Sequence, residues 1–187
     1  LLDTFEMSDQ TTAQAYSRMT MDDKHPWTRH ATHEVAFIRA NCGVTSNSRV
    51  LDLGCGNGRH LLLLGNTVAD GVGVDFVDAR VQVANNEAAA RGLPLRFVCG
   101  DARDVHIDGH FDCVLCLYDV VGTYADETEN LRILRNIARH LRSGGTALLS
   151  VMNLELTTSI ATQTFSAARE PDRLLKLAPS GTMEKTG

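Results

Sequence analysis

Three glycines at alternate positions follow a short apolar segment of the chain, in Val50-Leu51-Asp52-Leu53-Gly54-Cys55-Gly56-Asn57-Gly58. Glycine lets the backbone turn sharply and lets a ligand approach main-chain N–H groups without a Cβ collision. A helix that begins near Arg59 places its N-terminus beside the same groups. The pattern indicates a loop that binds a nucleotide-like ligand, with a bare structural turn as the alternative.

Acidic residues stand at or just after three successive apolar segments. Asp52 precedes the first glycine of the loop, Asp75 ends the second segment, and Asp101 follows the third. At the carboxyl end of a parallel strand, a carboxylate can accept both hydroxyls of a ribose, as we expect of Asp75. Asp101 is placed to accept from an exocyclic adenine amine, and Asp52 to meet a cationic ligand amine. Each acid alone is explained as well by a helix cap or a solvated loop, but their register with the loop favours a binding site.

The spacing of the glycines bears on which nucleotide is bound. The dinucleotide fingerprint G-x-G-x-x-G requires glycine at position 59, where this chain has Arg59. A nicotinamide-dependent dehydrogenase is therefore disfavoured.

Five continuous apolar segments indicate strands that are covered on both faces, and so a parallel sheet with helical crossovers. These strands are predicted at Arg49–Leu53, Asp70–Val74, Leu95–Cys99, Phe111–Leu117 and Thr146–Val151. Helices are predicted at Thr28–Asn41, with Ala31, Val35 and Ile38 on one face, and at Val77–Arg91. A capping box of Asp126 and Glu129 predicts the start of a further helix, which Ser143-Gly144-Gly145 ends.

The composition limits the function. The 187 residues are 43% hydrophobic and carry a formal net charge of -5, which argues against a protein that grips nucleic acid or an anionic membrane. No apolar run approaches the ~20 residues that span a bilayer. Five cysteines are too few and too irregular for a secreted scaffold, so we expect reduced thiols and a cytoplasmic protein. The histidines lack zinc-binding spacing, and no metal is predicted; Cys113 and Cys116 should point to opposite faces of a strand.

In motif order and spacing, residues 47–152 resemble the class I S-adenosylmethionine-dependent methyltransferase family. The segments that carry the resemblance are Val50 to His60, Gly73-Val74-Asp75, Gly100-Asp101-Ala102, Phe111-Asp112-Cys113-Val114 and Leu141-Arg142-Ser143-Gly144-Gly145. The resemblance implies an α/β fold with a Rossmann-like, doubly wound, mostly parallel sheet and helices on both faces. It also implies S-adenosylmethionine as the cofactor, bound by Asp52, Gly54, Cys55, Gly56, Asp75, Phe76, Asp101, Ala102 and Leu117.

The resemblance assigns parts of the cofactor to parts of this set. Gly54, Gly56 and Asp52 would surround the methionine part and Asp75 the ribose, while Asp101 and Ala102 would lie at the adenine. Phe76 would flank the adenine ring, or else pack under the second helix.

The segment after the fourth strand faces the transferred methyl group in this family, and Tyr118, Asp119 and Tyr124 are the candidates to orient or deprotonate the acceptor. The alternative is that Tyr118 packs in the core and Asp119 caps a turn. The segment lacks the Asn/Asp-Pro-Pro-Tyr/Phe motif of members that methylate nucleobases or glutamine. It is similar instead to small-molecule members such as the glycine and sarcosine N-methyltransferases.

In such members, aromatic and basic residues ahead of the first strand cover the methionine end; the candidates here are Tyr16, Trp27, Arg29 and His30, and Arg29 could pair with the cofactor carboxylate. We therefore divide the chain into an N-terminal helical cap (1–46), the cofactor-binding core (47–152) and a C-terminal segment (153–187).

The last segment is too short for the two further strands and the lid that members of the family normally have, so we expect a portion of a longer chain. Its fifth strand would have an unpaired edge, so the piece should either form homo-oligomers through that edge or be marginally stable. The alternative function is a non-catalytic nucleotide-binding module of the same fold.

Overall fold

The computed structural model describes residues 30–118, 120–124 and 126–151, and the strand backbone of 174–177 and 183–186. Tyr16, Trp27, Arg29 and Asp119 lie outside the described residues. The helices are α1 (Ala31–Asn41), α2 (Arg59–Leu64), α3 (Asp78–Ala90) and α4 (Glu127–His140). The strands are β1 (Arg49–Leu53), β2 (Asp70–Asp75), β3 (Leu95–Cys99), β4 (Phe111–Cys116), β5 (Leu141–Leu149), β6 (Leu174–Leu177) and β7 (Met183–Thr186).

Strands β1 to β5 form one sheet in the order β3-β2-β1-β4-β5, and every neighbouring pair in it is parallel. The chain therefore winds outward in both directions from β1, which confirms the predicted Rossmann-like sheet. Strands β6 and β7 pair with each other in antiparallel fashion.

Apolar side chains cover both faces of the sheet. On one face, residues of α1, α2 and α3 pack against Val50 and Cys113. On the other face, Ile133 and Ile137 of α4 pack against Leu51 and Cys116. The two cysteines of the C-x-x-C pair thus lie on opposite faces, as predicted. Burial raises the pKa of each of their thiols to about 12, so both act as small apolar side chains.

The described helices follow the sequence pattern closely. Ala31, Val35 and Ile38 are the buried residues of α1, on the predicted face. Asp126 caps α4, because its Oδ1 accepts a hydrogen bond from the N–H of Thr128 at 2.7 Å. Glu129 does not have the role that the capping-box spacing predicts: its carboxylate pairs with Arg103 and Arg132 instead. None of the described helices is long and apolar enough to cross a membrane.

Strand β5 differs from its predicted bounds at both ends. It begins at Leu141, opposite Phe111, and its ladder is interrupted before Thr146 pairs with Cys113. The predicted turn Ser143-Gly144-Gly145 lies in this interruption, where Gly144 has a φ of +72°. The glycines therefore produce an irregularity within the strand rather than a break before it.

Candidate functional site

The glycine loop between β1 and α2 is folded against the end of β2. The N–H groups of Gly54 and Cys55 both donate to the carbonyl oxygen of Val74, at 2.8 and 2.9 Å. Gly54, Gly56 and Gly58 have φ values of +80°, +55° and +75°, which residues with a Cβ adopt only at a cost. A Cβ at Gly54 would also collide with the side chain of Val120, from the segment after β4. The loop conformation therefore explains the alternating glycines.

Asp75, at the carboxyl end of β2, holds this loop in place. Its Oδ2 accepts the N–H of Gly56 at 2.8 Å and its Oδ1 accepts the N–H of Val77 at 2.9 Å. The side chain is buried, at 5% exposure. Because a carboxylate oxygen can accept more than one hydrogen bond, Asp75 keeps the capacity to accept from a ligand hydroxyl while it fixes the loop.

Asp52, the second-last residue of β1, is buried without full hydrogen bonding. It is 2% exposed, and its Oδ2 has no hydrogen-bond partner among the residues that the structure describes. Burial raises the pKa of this carboxyl to about 6, although the charges of His60 and Arg59 act in the opposite direction. Asp52 is therefore ionised near pH 7 at a cost to the fold. A ligand cation would relieve that cost.

This cost gives a first prediction. The change Asp52→Asn removes the buried charge while keeping the shape of the side chain, so we expect a higher melting temperature above pH 6. Each kcal/mol added to the free energy of unfolding should raise the melting temperature by roughly 2–4 °C. The carboxyl of Asp52 has a pKa near 3.8 in the unfolded chain and about 6 in the folded protein. Its charge therefore destabilises the fold only above pH 3.8, and the full destabilisation is present above about pH 6. The gain should therefore vanish near pH 4.

The measurement is thermal unfolding followed by circular dichroism across this pH range. Asp104→Asn is the matched control, because Asp104 is an exposed carboxylate paired with Arg132. A lower melting temperature for Asp52→Asn above pH 6 would contradict the prediction.

The end of β3 carries Asp101, which has an intramolecular partner. The Nε of Arg103 donates to both carboxylate oxygens of Asp101 at 3.0 Å, and the Arg103 N–H donates to Oδ1 at 2.8 Å. Burial would raise the pKa of Asp101, but these bonds and the guanidinium charge outweigh it and hold the pKa below its usual value. An adenine contact at Asp101 would have to share this carboxylate with Arg103.

Arg103 also determines the surroundings of Tyr124. Its guanidinium lies 4.5 Å from the centre of the Tyr124 ring and pairs with Glu129 of α4. Next to Asp101, the carbonyl oxygen of Ala102 accepts from Asn136 at 2.9 Å. Tyr124 thus contacts Arg103, the partner of Asp101, at the end of β3, where an adenine contact is expected rather than an acceptor contact.

Phe76 and Leu117 follow the ends of β2 and β4. Phe76 is an aromatic residue with 36% exposure directly after Asp75, which agrees with a ring that flanks a ligand better than with a core residue. Leu117 is buried against the core. Cys55 is buried in the glycine loop, and burial raises its thiol pKa well above the usual value, so it has no nucleophilic character at neutral pH.

Tyr118 belongs to a second cluster that joins three elements. Its hydroxyl donates to Oε1 of Glu34 in α1, and Oε2 of Glu34 lies 2.8 Å from Nε2 of His60 in α2. The guanidinium of Arg59 lies 4.2 Å from the centre of the Tyr118 ring. We call Glu34, Arg59, His60 and Tyr118 the tyrosine cluster. It links α1, the start of α2 and the segment after β4.

The backbone at Tyr118 is in an unusual conformation. Tyr118 is a non-glycine residue with a φ of +61°, in the left-handed region that costs a side-chain-bearing residue free energy. The tyrosine cluster holds it there. Burial and the hydrogen bond to Glu34 raise the pKa of Tyr118 to about 12. The group is therefore a neutral phenol across the physiological range.

The structure thus separates the three acceptor-side candidates. Tyr118 and Tyr124 contact different clusters, and Asp119 lies outside the described residues. Glu34, His60 and Arg103 are contacts of the site residues that the sequence did not predict. Glu34 stands on a helix before the first motif, and no spacing rule connects it with Tyr118. Arg59 and His60, directly after the last glycine of the loop, and Arg103, directly after Ala102, had positions that could have signalled a role.

Within the described part of the chain, no three His, Cys, Asp or Glu side chains are grouped to hold a metal ion.

Comparison with known proteins decides which family this site belongs to. A family model described as a methyltransferase domain matches residues 50–145, about half of the chain. The matched range includes the glycine loop, Asp75 and Asp101. The chain belongs to the S-adenosylmethionine-dependent methyltransferase family.

Individual methyltransferases support this assignment. Cypemycin N-terminal methyltransferase from a Streptomyces species is 35% identical over 100 residues, which are 54% of this chain and 40% of that protein. Ubiquinone biosynthesis O-methyltransferase from Rickettsia prowazekii is 28% identical over 119 residues, 62% of this chain and 44% of that protein. The S-adenosylmethionine-bound structure of an amino pentose methyltransferase from Micromonospora echinaspora covers 78% of this chain and 57% of its own, with 22% identity and a TM-score of 0.54.

These comparisons confirm the family, the fold and the cofactor class that the sequence motifs predicted. The chain spans less than half the length of the two curated relatives named above.

Proposed function

We propose that this chain transfers a methyl group from S-adenosylmethionine to a small-molecule acceptor by in-line displacement. The observation that carries the proposal is the glycine loop closed by Asp75 beside the unpartnered, buried carboxylate of Asp52. A cofactor with a ribose and a positively charged amine would supply hydroxyl donors to Asp75 and a positive charge to Asp52. The described residues therefore suit S-adenosylmethionine.

In this proposal the cofactor lies across the carboxyl ends of β1 to β4. Gly54, Cys55 and Gly56 line the methionine part together with Asp52, and Asp75 accepts from the ribose hydroxyls. The remaining contacts, at the adenine and the floor of the site, are Phe76, Asp101, Ala102 and Leu117. The support for Phe76 is its exposure at the end of β2. Tyr16 and Arg29 stay proposals from the sequence alone.

When bound, S-adenosylmethionine supplies a methyl group on a sulfonium, which is already activated for transfer. The protein has to align the acceptor and exclude water. Of the candidates, Tyr118 suits alignment and not deprotonation, because its pKa of about 12 keeps the phenol neutral. Asp119 remains the proposed base where the acceptor must lose a proton, and Tyr124 is proposed to act through Arg103, whose guanidinium lies over its ring.

The acceptor is proposed to be a small molecule with a nucleophilic nitrogen or oxygen. The named relatives include methyltransferases of an N-terminus, of an amino sugar and of an oxygen acceptor. The formal net charge of -5 does not favour a nucleic acid as the substrate.

The proposal extends to the location and assembly of the protein. A cytoplasmic location is supported by its five cysteines, all of which are free thiols in the structure. Association of two copies through β5 is supported by the position of this strand at the edge of its sheet.

Label transfer tests the proposed activity. The protein is incubated with methyl-labelled S-adenosylmethionine and a library of small amines, hydroxyl compounds and thiols, and labelled products are identified by mass spectrometry. We expect multiple turnovers with members of one chemical class. Binding of the cofactor without turnover on any amine, hydroxyl or thiol would favour the alternative of a non-catalytic binding module.

A further inference from the structure

Two buried polar side chains of α4 hold the loop that follows β3, and the proposed methyl transfer does not use either of them. They are Asn136 and His140, each 2% exposed. The carboxamide nitrogen of Asn136 donates to the carbonyl oxygens of Ala102 and Val105, at 2.9 and 3.1 Å. The N–H of Ile107 donates to Nε2 of His140 at 3.1 Å. Two residues one helical turn apart therefore hold three backbone groups of the loop.

The hydrogen bonds of His140 fix the protonation state of its ring. The N–H of Ile107 can only donate, so Nε2 must be the unprotonated nitrogen. Nδ1 lies 2.8 Å from the carbonyl oxygen of Asn136, which can only accept, so Nδ1 carries the proton. A second proton on the ring would place an Nε2–H against the N–H of Ile107. The bond to the loop would then break, because two donors would face each other.

The start of this loop belongs to the proposed cofactor site. The carbonyl oxygen of Asp101 accepts from the N–H of Val105 at 2.8 Å, so this stretch forms a closed turn. Asn136 holds the turn, and His140 holds the chain just after it. We propose that Asn136 and His140 are positioning residues that keep the loop in its ligand-binding position, and that protonation of His140 releases it. This inference rests on the proposed function, because it requires the ligand to contact the loop.

The surroundings of His140 disfavour its protonation while the loop is held. Burial lowers the pKa of the imidazole, although the hydrogen bond to Asn136 raises it. The charged and titratable groups that face the ring lower the pKa further; they are Arg139 on α4, His106 on the loop and His110 before β4. When the loop is released, water reaches the ring and its pKa returns toward 6.5. The released form therefore binds more protons, so its population rises as the pH falls below about 6.5 and does not change well above it.

Hydrogen exchange of the Ile107 amide, followed by NMR in the unaltered protein, tests the inference. The protection factor compares the observed exchange rate with that of an unfolded peptide at the same pH, which removes the direct effect of pH on exchange. Between about pH 7.5 and about pH 5.5 we expect this factor to fall by about three- to tenfold. This is the range that a histidine with an ordinary pKa near 6.5 in the released form allows.

The matched variant is His140→Gln, which offers an acceptor oxygen to Ile107 and does not titrate. Its protection factor should be the same at both pH values. Comparison of the two proteins also removes the contribution of Asp52, whose carboxyl titrates in this pH range in both. His33→Gln is the control, because His33 is exposed on α1, and it should respond to pH like the unaltered protein.

Nitrogen-15 NMR of the histidine rings in the unaltered protein does not depend on whether the variant folds. At about pH 7.5 it should show His140 as the neutral tautomer with its proton on Nδ1. A proton on Nε2 would overturn the inference. A protection factor of Ile107 that is the same at both pH values in the unaltered protein, or that falls equally in His140→Gln, would also overturn it.

S-adenosylhomocysteine, added at saturating concentration, tests whether the loop serves the ligand site. It should restore the protection of Ile107 at about pH 5.5, because a ligand that contacts the loop binds only its held form. If the ligand binds by calorimetry and leaves this protection unchanged, the inference is overturned while the proposed function stands. If the protein binds no S-adenosylhomocysteine at either pH, the proposed function fails and the positioning role with it.

Discussion

The change Asp75→Ala is expected to weaken the binding of S-adenosylhomocysteine by on the order of 100-fold. Hydrogen bonds to a charged group contribute roughly 1.5–3 kcal/mol each, and two ribose hydroxyls would lose their acceptor. The structure adds a second cause: the N–H of Gly56 loses the acceptor, at 2.8 Å, that holds the glycine loop. The two losses act in the same direction, on the ligand and on the loop that receives it.

Calorimetry measures this effect, with circular dichroism to establish that the variant is folded. Asp104→Ala is the control, because Asp104 is an exposed acid that pairs with Arg132 on the protein surface. The milder change Asp75→Asn keeps one acceptor oxygen, so its affinity for S-adenosylhomocysteine should lie between the affinities of Asp75→Ala and of the unaltered protein. Affinity of folded Asp75→Ala within threefold of the unaltered protein would mean that the ribose is held elsewhere.

The change Gly56→Val is expected to abolish measurable binding. A branched Cβ in the left-handed region strains the loop, and it also occupies the space in which a ligand must approach the main chain. Gly92, after α3, offers a matched comparison, because its φ of +59° is close to the +55° of Gly56. A Cβ at Gly92 would meet nothing within 4 Å.

Gly92→Val should therefore show the cost of backbone strain alone. We expect both variants to melt at lower temperature, by an amount that corresponds to about 1–2 kcal/mol of strain, and only Gly56→Val to lose S-adenosylhomocysteine. If both variants bind normally, the glycine loop does not contact the ligand. If both lose binding equally, the loss comes from general destabilisation.

The sheet was predictable because its signal is local. The segments Arg49–Leu53 and Leu95–Cys99 are short and mostly apolar, and the structure has strands with those same bounds. The apolar stripe of α1 is equally local, since it depends only on helical periodicity. At β5 the local signal misled, because Gly144 and its neighbours are compatible with a turn and also with a strand irregularity.

The site was predictable only in part, because its polar partners are distant in sequence. The position of Asp75 at the end of β2 follows from the strand pattern. By contrast, the hydrogen bond of Tyr118 to Glu34 joins residues 84 positions apart. Arg103 stands only two residues after Asp101, but its engagement of that carboxylate depends on which of several nearby partners the folded chain brings into contact. No periodicity encodes such pairings.

The central claim is that the loop from Gly54 to Gly58 and the carboxylate of Asp75 form an S-adenosylmethionine site. The most direct test is a calorimetric titration of the folded, unaltered protein with S-adenosylhomocysteine, which needs no knowledge of the acceptor. The account predicts saturable binding of one ligand per chain that is lost in Asp75→Ala. A folded protein that releases no heat of binding over this titration, and is not stabilised against thermal unfolding by the ligand, would contradict the claim.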